Sequence, residues 1–198
     1  MSEHDDMLTR RTLLQRIGDS GNTHAWYEFV YYYKGYIYGV ARKSGASHHD
    51  AEEAAQMVLT KLSNIAKDFE YCPEKGRFRN YLARITVNTV RNLFRERRQD
   101  VSLSEISEGG AETFSEDPAI DRMAEEEWRT HLSAIAWRNV SMLFEEKVRK
   151  TWEMLCDGHS AEEIASALQL AEKSIYVYKK RVLEKLKIEY KRLEADLQ

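Results

Sequence analysis

Lys173, Tyr176, Lys179 and Lys180 recur at intervals that put them on one side of a helix, with Ser174 and Arg181 beside them. Cationic side chains attract phosphates, and side chains on an exposed helix face reach base edges when that helix lies in a major groove. The chemistry on offer is recognition of a nucleic-acid duplex, not bond making. The residues upstream supply a frame for it. After a helical stretch Glu145 to Leu155, Asp157-Gly158-His159-Ser160 breaks the pattern; Ser160 is a natural N-cap and Glu163 completes a capping box. Ala161–Leu168 then predicts a short helix with Ile164, Ala165 and Leu168 on one face. Gln169-Leu170-Ala171 reads as a tight turn, and Ser174 opens the region of a second helix with Ile175, Tyr178, Val182 and Leu186 inward. The small Ala165 leaves room for two helices to cross steeply. The pattern predicts a helix-turn-helix with a basic outer face, although a plain helical hairpin with a solvated basic face fits the same spacing.

A second basic block separates these readings. Lys75 to Arg98 holds eight basic residues and one acid, Glu96, and Ala171 to Arg192 holds eight bases against three acids. Between them Asp100 to Glu127 holds ten acids and one base, Arg122. The whole chain has 30 Lys+Arg against 33 Asp+Glu, a net charge of −3, which excludes a general polyanion binder. Two local basic blocks predict two nucleic-acid contacts on one protein. In the first block Phe78–Arg98 predicts a helix with Phe78, Leu82, Ile85, Thr89 and Leu93 inward, leaving Arg84, Asn88, Arg91, Asn92 and Arg95 outward. The preceding loop carries Phe69, Tyr71 and Arg77. Arginines cradle phosphates, while loop aromatics and an amide suit an unstacked base, so this block fits single-stranded or melted DNA better than a rigid duplex.

The elements that must position these groups are all helical. His24 to Lys43 contains six of the eleven tyrosines, and Trp26, Phe29, Tyr33, Ile37 and Val40 at helical spacing predict a buried helix, not a stacking platform. Ser47-His48-His49-Asp50 opens the next helix, which runs to about Ile65 with Ala51, Ala55, Val58, Leu59, Leu62 and Ile65 inward and Asp50, Glu53, Gln56 and Met57 outward. His48, His49, Asp50 and Glu53 could share a metal only if adjacent histidines converged, which a helix prevents, so no metal and no cofactor are expected. Val101 to Pro118, rich in Ser, Gly and acids, reads as a solvated linker. The fold class expected is all-α: two small helical domains, residues 1–98 and 122–198, joined by an acidic flexible linker over 99–121. Cys72 and Cys156 are the only cysteines and give no disulfide framework. No apolar run is long enough to span a bilayer and the polar start does not look like a signal peptide, so a cytoplasmic location is expected.

Three motifs in order carry a resemblance: Asp50-Ala51-Glu52-Glu53-Ala54-Ala55-Gln56, then Phe78-Arg79-Asn80-Tyr81-Leu82-Ala83-Arg84-Ile85-Thr86-Val87-Asn88, then Asp157-Gly158-His159-Ser160-Ala161-Glu162-Glu163-Ile164-Ala165. From about Thr23 to Leu186 the chain resembles bacterial RNA polymerase sigma factors of the extracytoplasmic-function group of the sigma-70 family. The resemblance implies that Asp50, Glu53, Gln56 and Met57 face the clamp coiled coil of the polymerase β′ subunit. It implies that Phe69, Tyr71, Arg77, Arg84, Asn88, Arg91 and Arg95 meet the melted minus-ten element. Lys173, Ser174, Tyr176, Lys179, Lys180 and Arg181 would meet the minus-thirty-five duplex while the same domain leans on the β flap. Core RNA polymerase, promoter DNA and an anti-sigma factor are the partners implied, and no catalysis. Two features depart from the family pattern: Met57 stands where an acid usually follows the glutamine, and Tyr176 and Tyr178 stand where the recognition helix usually has arginines. No appended regulatory domain is expected beyond about Glu194. The alternatives are a helix-turn-helix regulator that binds duplex operators without polymerase, and a polymerase-binding adaptor. An enzyme is disfavoured by the absence of a catalytic triad order, a phosphate loop or a metal-ligand set.

Overall fold

The computed structural model describes residues 13–17, 23–65, 77–99 and 117–197, and those residues are helical with short connections. The helices are α1 (Leu13–Arg16), α2 (Thr23–Lys43), α3 (His48–Ile65), α4 (Phe78–Gln99), α5 (Pro118–Ser141), α6 (Glu146–Cys156), α7 (Ala161–Leu168) and α8 (Glu172–Asp196). The all-α expectation holds. Two compact units divide the chain, one running through His131 and the other from Leu132 to Leu197.

In the first unit α2, α3 and α4 pack around two kinds of contact. Where their ends meet, small residues let the backbones approach: Ala41, Ala46, Ala51 and Ala54 are buried with Val90 and Leu93. Gly45, at φ +92°, makes the left-handed turn that ends α2. Toward the start of α2 the core is aromatic. Phe29 stacks on Tyr33 with ring centroids 4.7 Å apart, and Phe78 meets both edge-on. The buried reading of this helix therefore holds for Phe29, Tyr33, Ile37 and Val40; Tyr32 and Tyr36 are buried with them, while Tyr27 and Tyr31 are exposed. On α3, Leu59 and Ile65 are only half-buried, and Ala54 takes a core place that the sequence pattern did not assign.

α5 begins at Pro118, at the end of the stretch read as a linker, and its residues through His131 belong to the first unit and not to the helix-turn-helix domain. Asp117 starts it, its Oδ1 accepting from the Ala119 backbone N–H at 2.9 Å, and Pro118 at the first helical position gives up a donor that would be unpaired anyway. Residues 100–116 lie outside the described residues.

The second unit is built as the sequence pattern predicts. α7 spans Ala161–Leu168, and Ser160 caps it with the full box: its Oγ accepts from the Glu163 N–H and the Glu163 carboxylate accepts from the Ser160 N–H. Ile164, Ala165 and Ile175 form the buried crossing of α7 and α8, with Leu168 and Leu170 against them. Gln169 takes the left-handed conformation at φ 52° that closes the turn. α8 starts at Glu172 with Ala171 as a cap that makes no side-chain bond, so Ser174 lies inside the first turn and does not open the helix. A second cluster, Val140, Phe144, Val148 and Val182, holds α6 and α8 to the last turns of α5, with Trp137 and Trp152 covering it.

Candidate nucleic-acid interface

The outward face of α4 is not a row of free arginines. Arg84 lies beside Asp121 of α5, and its Nη2 donates to both carboxylate oxygens at 2.9 Å. Arg79 is 4% exposed, and its Nε and Nη2 donate to one oxygen of Glu125 at 3.1 and 2.8 Å. Arg77, far more exposed, donates to that same oxygen at 3.2 Å. Burial opposes ionisation of Glu125, but the hydrogen bond and charge of Arg79, with Arg77 and Arg129 further out, overcome it and hold the carboxyl below the usual range. The expectation that Arg84 stands outward to cradle phosphates is corrected: it is half-buried and paired, because α5 brings its acids to this end of α4.

Below these pairs α5 is anchored by Trp128. The indole is 1% exposed, stacked 5.6 Å from Tyr33 and edge-on 5.2 Å from Tyr36, with the Arg79 guanidinium 5.8 Å from its ring centroid. The Tyr36 hydroxyl donates to the Arg79 carbonyl at 2.9 Å, and burial pushes its pKa far up, so it stays a neutral donor. His131 Nε2 donates to the Tyr32 carbonyl at 2.6 Å. Two glycines of α2, Gly35 and Gly39, make the fit. A Cβ on Gly39 would lie 1.9 Å from Glu127 Oε1, and one on Gly35 2.8 Å from the His131 ring. Glu127, itself buried, pairs with Lys43 at 3.1 Å.

Further along α4 the surface opens. Arg91 and Arg95 are exposed and form no ion pair among the described residues, and Asn88 is half-buried next to them in sequence register. Phe69 and Tyr71 lie outside the described residues, so only Arg77 of the loop trio is placed. Arg97 turns to α3, pairing with Asp50 and reaching Glu53 at 3.2 Å.

That pairing corrects a second expectation. Asp50 does not point outward with Glu53, Gln56 and Met57; it is 6% exposed at the start of α3. Ser47 Oγ accepts from its backbone N–H at 3.2 Å and donates to its carboxylate at 2.7 Å. The Ser47 hydrogen bond, aided by Arg97, holds the carboxyl below the usual range against burial. Asp50 is thus a helix-start residue. Gln56 and Met57 are exposed, and Glu53 is partly so. The Tyr38 hydroxyl is hydrogen-bonded to His48 Nδ1 at 2.8 Å, and among the described residues no cluster of three His, Cys, Asp or Glu could hold a metal. No described helix is long and apolar enough to cross a membrane.

On α8 the structure separates two faces. Lys173, Tyr176, Lys179, Lys180 and Arg181 are exposed, Ser174 is half-buried, and Ile175 and Val182 are buried. Tyr176 is 63% exposed, whereas Tyr178 packs half-buried against the Val140–Val182 cluster. Val177 is also exposed on this helix. What the sequence reading missed is the α5 contact: Arg79, Glu125, Trp128 and the Gly35/Gly39 pair. Its one available signal was Gly35-x-x-x-Gly39 on an aromatic helix, small residues one turn apart that mark close helix approach.

Known proteins match the chain in the same two places. Residues 29–99 match the family model of Sigma-70 region 2. Residues 149–194 match the family of bacterial regulatory proteins described as luxR, a helix-turn-helix family. Comparison with curated proteins finds no match. Among solved structures, CnrH in complex with the cytosolic domain of CnrY is 22% identical over 94% of this chain and 98% of that one, with a TM-score of 0.37. A match to Sigma-70 region 2 on α2–α4, followed by a match to a helix-turn-helix family on α6–α8, supports a factor of the sigma-70 family.

Proposed function

We propose that this sigma factor, which directs core RNA polymerase to promoters, reads its promoter with two separate basic faces. The observation that carries this reading is the pairing of a Sigma-70 region 2 with a helix-turn-helix whose exposed face holds five polar or cationic groups, Lys173, Tyr176, Lys179, Lys180 and Arg181. In the first unit Arg91 and Arg95 attract backbone phosphates of the melted minus-ten element, and Asn88 offers an amide to a base edge. In the second, the lysines and Arg181 bind phosphates of the minus-thirty-five duplex while Tyr176 alone faces the bases.

Polymerase contacts follow the same logic. Glu53, Gln56 and Met57 on the open face of α3 meet the β′ clamp coiled coil, with Met57 adding an apolar contact where the family has charge. The apolar hollow of about 490 Å³ in the second unit, lined by Trp137, Trp152, Leu183, Leu186 and Tyr190, receives the β flap. An anti-sigma factor would compete for these faces. The protein acts without cofactor or catalysis, in the cytoplasm where polymerase is found. Run-off transcription on a promoter library, with core polymerase and the purified protein, tests the reading: transcripts that neither component makes alone support it. Failure to capture core polymerase at low salt returns the chain to the class of stand-alone regulators.

A further inference from the structure

We propose that residues 118–131 form an internal acidic plug on the promoter-facing helix α4, with Asp121 in the place of a nucleic-acid phosphate at Arg84. The inference rests on the reading of α4 as a nucleic-acid face. The plug has two ends of different character. Trp128, fully buried between Tyr33 and Tyr36, and the close approach at Gly35 and Gly39 fix the helix in place. The acids lie nearer solvent: the Asp121 side chain is 31% exposed and Glu125 35%. Asp121 sets a carboxylate where a phosphate would sit, both of its oxygens accepting from the single Arg84 Nη2, while the buried Arg84 Nε has no partner among the described residues and is left for a fuller, two-nitrogen contact. Arg84, itself 17% exposed, therefore enters any DNA contact already neutralised. Arg79 plays another part: it is nearly sealed from solvent and serves the packing of Trp128 and Glu125. Arg91 and Arg95 carry no such partner among the described residues, so the plug restricts one end of α4 and leaves the other open. Its consequence is a free protein with weakened affinity for DNA, held back until a competitor for Arg84 or a displacement of the acid relieves it.

The test measures binding of the full-length protein, without polymerase, to a fluorescein-labelled mixed-sequence single strand. Asp121→Asn is expected to tighten binding about 3- to 10-fold at low salt. It should also steepen the plot of log K against log salt by about 0.7, the increment of one added phosphate contact on single strands. Glu126→Gln, which removes the same charge from an exposed position of α5, is expected to change neither. Adding Arg84→Ala to Asp121→Asn should erase the gain. A gain that survives Arg84→Ala, or an equal gain with Glu126→Gln, reduces the effect to net charge and overturns the plug. Unchanged binding for Asp121→Asn, with weaker binding for Arg84→Ala alone, also overturns it while leaving the nucleic-acid reading intact. No effect of Arg84→Ala in either background removes Arg84 from the interface and the proposal with it. Near-ultraviolet dichroism of the packed aromatic side chains, Trp128 among them, reports whether each variant is folded, and Asp121→Ala replaces Asp121→Asn if that variant is not.

Discussion

Asp121 accepts both of its Arg84 hydrogen bonds at 2.9 Å across 37 residues of chain, joining the acid-rich middle of the sequence to the first basic block. One turn on, Glu125 does the same for Arg79 and Arg77. The arginines of α4 thereby divide into those with an internal partner and those without, and each group answers mutation differently.

Arg91→Ala should weaken binding to duplex or melted promoter DNA irrespective of sequence and lower the salt slope by about one for each phosphate no longer neutralised. Its exposed position predicts a change in folding stability within about 0.5 kcal/mol. Arg79→Ala should do the reverse. It removes the buried partner of Glu125 and the cation beside Trp128, costing about 2 kcal/mol because Glu125 keeps some access to water. Urea unfolding and salt-dependent binding, run on both variants, separate the two behaviours; equal destabilisation would mean that burial does not divide these arginines.

Removing the anchor tests α5 as part of the first unit. Trp128→Ala should cost about 3–5 kcal/mol, since it empties a site walled by Tyr33 and Tyr36. Gly39→Ala should cost about 1–3 kcal/mol by pushing against Glu127. A fragment ending near residue 99 should unfold at lower urea than one ending at His131. Coincident midpoints for the two fragments would show that α5 adds nothing to this core.

Acid should loosen the first unit. Asp50 and Glu125 both have folded pKa values below their ordinary ones, so the folded state binds fewer protons than the unfolded state. Their stabilisation is present above the unfolded carboxylate range, about pH 4, and is lost as pH falls through the lower folded values. Asp50→Asn should flatten the acid limb of stability against pH, and an unaltered limb would show that the Ser47 and Arg97 contacts contribute little there.

The two tyrosines of α8 should part company. Tyr176→Arg leaves stability unchanged and tightens binding to minus-thirty-five elements containing G, since arginine gains the bidentate guanine contact, about 1–3 kcal/mol of discrimination that a phenol lacks. Tyr178→Arg should destabilise the second unit by about 1–3 kcal/mol, the charge being only partly able to reach water from beside Val182. Competitive binding with thermal unfolding decides it; a stable, tighter-binding Tyr178→Arg would place the reading face on the other side of the helix.

The turn and the short helix of the second unit were legible almost to the residue, though not where that unit begins. Its signals are local: a serine and a glutamate three apart cap α7, the breaks at Gly158 and Gln169 bound it, and the 3.6-residue period of Ile175, Tyr178 and Val182 names the inner face of α8. The aromatic packing of α2 was legible for the same reason. Asp50 was misplaced because a helix-start acid and an outward acid have the same spacing; only the hydroxyl of Ser47 and the reach of Arg97 distinguish them. The tertiary structure alone decided the fate of residues 118–131. The sequence divides this stretch between an acidic linker ending at 121 and a second domain starting at 122, and ion pairs between Arg84 and Asp121 or Arg79 and Glu125 leave no period in either segment that would join it to the first unit. Long-range charge pairing is set by which surfaces meet. Here that was settled by a tryptophan fitting between two tyrosines and by two glycines that let a helix come close.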